Sequence, residues 1–171
     1  MVLPSLRLID PNSLDHMARL QSVLEAAPGY HMIVDGKRPS ATAARDVVQA
    51  LPAGKDPNDK FVYEIAHDVQ AIGCLEMVRH FPETGVAFIG LMLFRESAQG
   101  QGFGPHVLNL AQNIAVGWQC GTLRLAVLDT NPRALHFWQR EGFVELLRKP
   151  ALDFSGQAIV MSRAISPVSR P

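Results

Sequence analysis

Apolar and polar positions along this chain repeat with the periods of strands and helices. The longest apolar run, Val86–Phe94, has no charged or strongly polar position inside it, and it predicts a strand buried on both faces. From Val107 onward, apolar side chains recur at i, i+1, i+4, i+7, i+8 and i+11, which predicts an amphipathic helix over residues 105–118. A glycine-rich loop, residues 99–104, joins this strand to this helix.

The same reading divides the rest of the chain into short elements. It predicts a first strand at 6–10, a helix that ends at Pro28 and Gly29, a connecting loop over 30–36 and a second helix capped at Ser40. It further predicts strands at 61–66, 71–78, 122–128, 143–147 and 158–161, a hairpin turn at residues 67–68, a helix starting after Asn131 and a loose tail over 162–171. The resulting order, β-α-α-β-β-β-α-β-α-β-β, is that of an α+β protein with one central sheet.

Composition limits the kind of protein but does not identify it. The chain has 171 residues, so we expect one domain over 1–171, and 47% of its residues are hydrophobic, as in ordinary globular proteins. Sixteen basic residues balance sixteen acidic ones, which gives no sign of a nucleic-acid or membrane partner. Cys74 and Cys120 lie in apolar segments without metal-ligand spacing, and the N-terminus lacks a signal peptide, so we expect buried thiols, no metal and a cytoplasmic protein.

The loop at 99–104 has the properties of a phosphate site. Gly100, Gly102 and Gly104 remove side chains where a helix presents its first unpaired N–H groups, and such a terminus binds anionic phosphate. A mononucleotide P-loop would end in Gly-Lys-Ser/Thr, and this loop has no lysine. A dinucleotide fingerprint has the spacing G-x-G-x-x-G, whereas these glycines alternate evenly and the segment Leu123–Val127 contains no acidic residue, so this match is weak. A turn without a ligand is the remaining alternative.

A third type of phosphate loop fits better. The sequence Gln99-Gly-Gln-Gly-Phe-Gly104 resembles the acyl-coenzyme-A loop of the GNAT acetyltransferase superfamily, Gln/Arg-x-x-Gly-x-Gly/Ala. A second stretch, Asn131-x-x-Ala134-x-x-Phe137-Trp138-x-x-x-Gly142-Phe143, is similar to another motif of that superfamily, with every spacing kept. The resemblance covers essentially the whole chain. It implies the GNAT fold, a mixed, mostly antiparallel and splayed sheet flanked by helices.

The resemblance also implies the cofactor, acetyl-coenzyme A, and the residues that bind it. The strand backbone at Met92, Leu93 and Phe94 would pair with the pantetheine arm, and Asn131 would hydrogen-bond the same arm unless it acts only as a helix cap. Trp138 would pack beside the sulfur atom. The loop would bind the pyrophosphate through Gln101, Gly102, Phe103 and Gly104, with Gln99 and Gly100 leading into it.

The chemistry implied is transfer of an acetyl group to a primary amine by direct attack. Family members usually protonate the leaving sulfur with a tyrosine, but Trp138 stands at that position here, and an indole N–H cannot deliver a proton. A thiol with a pKa near 8.5 is a tolerable leaving group, so no acid is required; Tyr30, Tyr63 or a water molecule are the alternatives. A coenzyme-A-binding sensor without efficient transfer is the competing function.

A general base is expected on a strand beside the central one. Glu76 interrupts an otherwise apolar strand, and carboxylates are seldom placed there without a partner or a task, so it is the first candidate. Glu64, one strand earlier, is the second, and the alternative for both is a solvent-facing position. Residues 28–40, with Tyr30, His31 and Asp35, are expected to contact the acceptor, a small-molecule amine or a peptide N-terminus. We also expect a homodimer.

Overall fold

The structure is a computed structural model that describes residues 2–151 and 156–166. Its helices and strands follow one another in this order: β1 (Ser5–Leu8), α1 (Leu14–Glu25), α2 (Pro28–Val34), α3 (Ala43–Gln49), β2 (Lys60–His67), β3 (Gln70–Arg79), β4 (Val86–Phe94), α4 (Phe103–Gly117), β5 (Thr122–Leu128), α5 (Pro132–Arg140), β6 (Val144–Pro150) and β7 (Gln157–Ala164).

In the described part of the chain, seven strands form one sheet in the order β1-β2-β3-β4-β5-β7-β6. Neighbouring strands are antiparallel except β4 and β5, which are parallel and are connected through α4. A parallel pair requires such a crossover because both strands start at the same end of the sheet. The predicted α+β class, with a mixed and mostly antiparallel sheet, is confirmed.

Each face of the sheet is covered by its own hydrophobic core. On one face α4 and α5 pack against β3, β4, β5 and β7, with Leu108, Leu123 and Ile159 at most 1% exposed. On the other face α1 and α3 pack against β2 and β3, with Leu20 and Leu24 at most 2% exposed. Strand β4 lies in the middle and contributes side chains to both cores. Its almost wholly apolar sequence is the consequence of this double burial.

Polar side chains cap α1 and α5, but the cap expected at Ser40 was wrong: α3 begins at Ala43, and its N-cap residue, Thr42, makes no side-chain cap hydrogen bond. The Ser13 hydroxyl accepts a hydrogen bond from the His16 N–H at the start of α1, and the Asn131 side chain accepts one from the Ala134 N–H at the start of α5. Both satisfy N–H groups that have no partner within the helix. Gly142, with a φ of +85°, follows α5 as expected of a left-handed stop.

Helix α2 is a correction to the expected loop over residues 30–36. Pro28 starts it rather than ending α1, which suits proline because the first helical N–H needs no partner. The N–H of Gly29 donates to Oε1 of Glu96 at 2.9 Å. Since Glu96 lies 67 positions after Gly29 in the sequence, no local pattern could have indicated this capping contact.

Some boundaries also differ from expectation. Helix α4 starts at Phe103 rather than Pro105, which the missing N–H of Pro105 permits because the first four N–H groups of a helix are unpaired. Strand β7 extends through Ala164, pairing with β5 and β6, so residues 162–164 do not belong to a loose tail. Residues 167–171 of the expected tail lie outside the described residues.

Both cysteines are free and buried, as expected. Burial raises the pKa of the Cys74 thiol to about 12, so this group stays protonated at neutral pH. Among the helices that the structure describes, none is both long and apolar enough to cross a membrane.

Candidate active site

Strands β4 and β5 are paired over only part of their length. Their register runs from Val86 opposite Thr122 to Ile89 opposite Leu125 and stops there, although β4 continues to Phe94 and β5 to Leu128. On their other edges, β5 pairs with β7 over its whole length and β4 pairs with β3 from Ala87 to Phe94, so neither β7 nor β3 covers the edges that face each other beyond Ile89. In the described chain, the edge of β4 beyond Ile89 therefore has no strand partner. Its peptide groups can pair with an extended ligand that carries amides.

A β-bulge lies where the two strands separate. Glu76 is opposite Leu91 and Met77 is opposite Ile89, so Gly90 is the extra residue of β4. A Cβ atom on Gly90 would lie 2.6 Å from Oε1 of Glu76, so only glycine leaves room for this carboxyl group against the β4 backbone. The bulge thus brings a carboxyl group to the start of the cleft between β4 and β5.

The bulge also reverses which side chains face which core. Before it, Ala87 and Ile89 face the α4 and α5 side; after it, Met92 and Phe94 do so, while Leu93 packs on the α1 and α3 side. Without the extra residue, the strict alternation of side chains along β4 would put Met92 and Phe94 on the α1 and α3 side and Leu93 on the α4 and α5 side. The three residues expected beside the pantetheine arm thus lie directly after the bulge, on the unpaired stretch of β4.

The glycine loop presents backbone rather than side chains. Gly100 and Gly102 have φ values of +75° and +81°, and a Cβ atom on either would meet nothing within 4 Å. Gly102 is the N-cap of α4, and no side chain there caps the helix. The N–H groups at the start of this 15-residue helix therefore have no side-chain cap, which suits the binding of a diphosphate.

A different structural reason explains why the third glycine, Gly104, has no side chain. A Cβ atom on Gly104 would lie 2.9 Å from the ring of Phe137, so this glycine permits α4 to pack against α5. The side chains of the loop support its shape: Gln99 donates to the carbonyl of Phe94, Gln101 donates to the carbonyl of Ser97, and the Phe103 ring is buried. The cradle is therefore built mainly by the backbone around Gly100 and Gly102.

Helix α5 contributes three further residues beside the loop. Arg133 donates from Nη1 to Oε1 of Gln99, which places a cation beside the glycine loop. Asn131 caps the helix, so that expected role is confirmed, and its contact with the cofactor stays a prediction. Trp138 is 8% exposed and packs edge-on against Phe137 and Phe143. Its position beside the sulfur atom also stays a prediction.

Glu76 faces the α1 and α3 side of the sheet, where its carboxylate pairs with a buried lysine. Oε1 lies 3.1 Å from Nζ of Lys60, and the two side chains are 15% and 4% exposed. Burial raises the pKa of Glu76 above its ordinary value, although Lys60 opposes that shift. Lys60 also donates to the carbonyl of Ala50, which fixes its ammonium group. A carboxylate with a raised pKa is a better proton acceptor than an exposed one.

Glu64 is also buried, which excludes the solvent-facing alternative for its side chain. Its carboxylate accepts a hydrogen bond from Nε of Arg19 at 2.6 Å and lies 3.6 Å from Arg7. Arg19 in turn contacts Asp15 on α1. This network ties α1 to β2 and leaves Glu64 committed to structural partners, so Glu76 is the better candidate for chemistry.

The segment expected to contact the acceptor lies on the same face as Glu76. Tyr30 packs against the core that includes Leu93, and His31 lies beside it with ring centroids 5.2 Å apart. Burial raises the pKa of the Tyr30 hydroxyl, and the nearby negative charges of Asp35 and Glu76 raise it further. The Tyr30 hydroxyl is thus neutral at neutral pH.

Three residues of this site were not among those expected from the sequence. Gly90 makes room for Glu76, Lys60 pairs with it, and Glu96 caps α2. Gly90 did carry a signal, because glycine inside a strand often marks a bulge. The other two act through partners far away in the chain.

An open strand edge next to an uncapped helix start defines a protein that binds an amide-bearing diphosphate ligand. The model of the Acetyltransferase (GNAT) family matches residues 22–143, well over half of the chain. The chain belongs to this family, so it is an acyltransferase, and its family uses acetyl-coenzyme A.

Solved structures agree on the fold. An acetyltransferase from Thermus thermophilus superposes with a TM-score of 0.74 at 23% identity, covering 96% of this chain and 100% of that one. Ard1 from Thermoplasma volcanium gives 0.69 at 19%, with 97% and 100% covered. An aminoglycoside 6'-N-acetyltransferase complexed with coenzyme A gives 0.70 at 13%, with 98% and 99% covered. No curated protein matches the sequence.

Proposed function

We propose that this chain transfers an acetyl group from acetyl-coenzyme A to a primary amine of a small molecule or peptide, by direct attack in a ternary complex. The observation that carries the proposal is the bulge at Gly90. It leaves room for the Glu76 carboxyl group against Gly90, directly after the residue at which the pairing of β4 with β5 ends. A proton acceptor at this point can serve an amine that approaches from the α1 and α2 side.

The residues of the cleft divide the binding task. N–H groups from Gln101 to Gly104, with Gln99 and Gly100 shaping the turn, bind the diphosphate, as the uncapped start of α4 supports. The open edge of β4 at Met92, Leu93 and Phe94 pairs with the amides of the pantetheine arm. In this proposal Asn131 contacts the same arm and Trp138 packs near the sulfur.

Bound acetyl-coenzyme A supplies the acetyl group as a thioester. Glu76, held by Lys60, accepts a proton from the incoming ammonium group, which frees the nitrogen lone pair for attack. A backbone N–H of Met92 or Leu93 stabilises the carbonyl oxygen as it gains negative charge. The thiolate of coenzyme A would be the leaving group, and the second proton of the amine would pass to it or to solvent, so Trp138 would not have to act as an acid.

A second function is favoured by one observation. Trp138 occupies the position of the family's usual tyrosine and lies in the core, where its indole cannot deliver a proton. A coenzyme-A-binding sensor without efficient transfer would be consistent with this substitution.

Two measurements test the proposal. Acetyl-coenzyme A should stabilise the folded protein by RT ln(1 + [L]/Kd) and so raise its melting temperature. When primary amines are added, the protein should release free thiol from acetyl-coenzyme A. Stabilisation without thiol release across a broad amine panel would favour the sensor. The absence of both effects would overturn both functions.

We further propose that two copies associate and that the protein works in the reducing cytoplasm. Strand β6 is an edge strand exposed along its whole length, and Val144 and Leu147 are 62% and 50% exposed, which supports a partner at this edge. The free buried cysteines are compatible with a reducing compartment. Light scattering of the wild type and of V144K/L147K tests the association; a wild-type monomer at high concentration contradicts it.

A further inference from the structure

An exposed cation, Arg133, lies beside the glycine loop. It is in the first turn of α5, and its Nη1 donates to Oε1 of Gln99, the first residue of the loop, at 3.2 Å. Within the described part of the chain, its Nε and Nη2 make no hydrogen bond, and no carboxylate pairs with it. Two donors of this guanidinium group are therefore available to an anion from outside the protein.

The loop and the central strand hold the guanidinium group of Arg133 in place. The Gln99 amide is itself fixed, because its Nε2 donates to the carbonyl of Phe94, the last residue of β4, at 3.0 Å. Its Oε1 is thereby turned towards Arg133. A side chain that is oriented before the ligand arrives loses less conformational entropy on binding.

The loop itself has no positively charged side chain. Between Arg95 and His106 the sequence contains no lysine or arginine. Arg95 donates instead to the carbonyl of Ala71 on β3 and to the hydroxyl of Ser22 on α1. The N–H groups at the start of α4 suit a diphosphate, but a ligand with further negative charge requires a cation from another segment.

Helix α5 supplies that cation on the side that meets the start of α4. Phe137 lies four residues after Arg133, so the two share a face of α5. The Phe137 ring packs against Gly104, in the first turn of α4. Helix α5 contains no acidic residue, and the nearest acidic residue before it, Asp129, accepts a hydrogen bond from the Gln157 N–H at 2.9 Å.

Coenzyme A has, besides its diphosphate, a 3'-phosphate on the ribose to which the diphosphate is attached. We propose that Arg133 binds this 3'-phosphate and so makes the protein distinguish coenzyme A from 3'-dephospho-coenzyme A. The inference rests on the proposed cofactor site. A phosphate monoester carries about −1.5 to −2 charges at pH 7, and its oxygen atoms match the planar fork of a guanidinium group.

Isothermal titration calorimetry with coenzyme A and with 3'-dephospho-coenzyme A tests the proposal without an acceptor. The wild type should bind coenzyme A about 10-fold more tightly than the dephospho form. This is the low end for hydrogen bonds to charged groups, because Arg133 is exposed to water. In R133Q the affinity for coenzyme A should fall about 10-fold while that for the dephospho form changes little, so the two affinities should agree within about twofold.

Two further variants make the result specific. R133K keeps the positive charge without the planar pair of donors and should keep part of the preference for coenzyme A. R45Q removes the same charge from an exposed residue of α3, which packs on the opposite face of the sheet, and should keep the wild-type ratio.

The outcomes separate this inference from the proposed function. If R133Q weakens both ligands equally, Arg133 only supports the loop through Gln99 or binds the diphosphate, and the inference is overturned. A wild type without preference, or an equal loss of preference in R45Q, also overturns it. If the wild type binds neither ligand, the proposed cofactor site is refuted together with the inference.

Discussion

The two sides of the cleft are built in different ways. On the side proposed for the cofactor, the available groups are backbone: the open edge of β4 and the N–H groups after Gly102. On the side proposed for the acceptor, they are buried side chains that pair with one another, such as Glu76 with Lys60 and His31 with Asp35. A backbone site requires that side chains be missing, whereas a side-chain site requires partners from several segments. The two sides should therefore respond differently to substitution.

The largest expected effect is on the cofactor side. Gly102→Glu puts a side chain and a negative charge on the open N-terminus of α4, where the diphosphate would bind, and it also strains a residue with a φ of +81°. We expect the affinity for acetyl-coenzyme A to fall by a factor of about 100 or more, which corresponds to about 2.8 kcal/mol. Isothermal titration calorimetry measures it directly.

Gly54→Glu is a matched control for Gly102→Glu. Gly54 has a φ of +77°, and a Cβ atom there would meet nothing within 4 Å. The substitution Gly54→Glu therefore adds the same charge and nearly the same backbone strain, but in the loop before β2. This variant should bind acetyl-coenzyme A normally. Equal affinities in the two variants would remove the glycine loop from the cofactor site.

The next largest effect separates catalysis from binding on the acceptor side. Glu76→Gln keeps the shape of the side chain but removes its ability to accept a proton, so we expect kcat to fall about 100-fold at pH 7 with unchanged affinity for acetyl-coenzyme A. Gly90→Ala should act in the same direction, because its methyl group would displace the Glu76 carboxyl group. Turnover by thiol release and affinity by calorimetry measure the two properties. A normal rate in Glu76→Gln would exclude Glu76 as the base.

Glu64→Gln should give the opposite result to Glu76→Gln. Its carboxylate holds Arg19 and Arg7, so removing the charge should reduce the free energy of unfolding by about 1–3 kcal/mol and leave kcat within about twofold. The cost stays below that of a fully buried pair because Arg19 is 33% exposed. Urea unfolding gives the stability. A drop in kcat without loss of stability would move the base assignment from Glu76 to Glu64.

The smallest effect is a shift in pH dependence. Burial raises the pKa of Glu76 and the Lys60 charge opposes it, so Lys60→Met should raise that pKa further. Glu76 accepts a proton only when ionised, so the acid limb of kcat/KM should move to higher pH, whereas Lys60→Arg, which keeps the charge, should leave it in place. If the acid limb of kcat/KM in Lys60→Met is unchanged or moves to lower pH, that result contradicts the pairing of Glu76 with Lys60.

The same shift has a consequence for stability. Because the pKa of Glu76 is higher in the folded protein, this carboxyl group favours folding below its ordinary pKa. That contribution is lost as the pH rises through the raised pKa.

The sequence was informative where structure depends on near neighbours. Strands β4 and β5 have the predicted bounds, and the caps at Ser13 and Asn131 are where polar residues precede apolar periodicity. The glycine loop was also readable, because a helix start that binds phosphate needs an absence of side chains within a few consecutive residues. Gly104, predicted as a loop residue, lies in the first turn of α4, where its small size permits the contact with Phe137 on α5.

The sequence was less informative where partners are far apart. Helix α2 was missed because its capping group, Glu96, comes from the segment after β4. The different contacts of Glu64 and Glu76 could not be predicted, since both residues interrupt apolar strands in the same way. Their difference comes from the arginines of β1 and α1 on one side and from the bulge at Gly90 on the other.

By itself, the sequence determined the order of elements apart from α2, the central buried strand and the run of glycines before α4, because hydrophobic period and missing side chains are local properties. Only the tertiary structure decided that the pairing of β4 with β5 ends at Ile89, that the bulge at Gly90 leaves room for the Glu76 carboxyl group, and that Lys60 pairs with it. These features depend on strand register and on burial. Both are set by packing across the whole sheet.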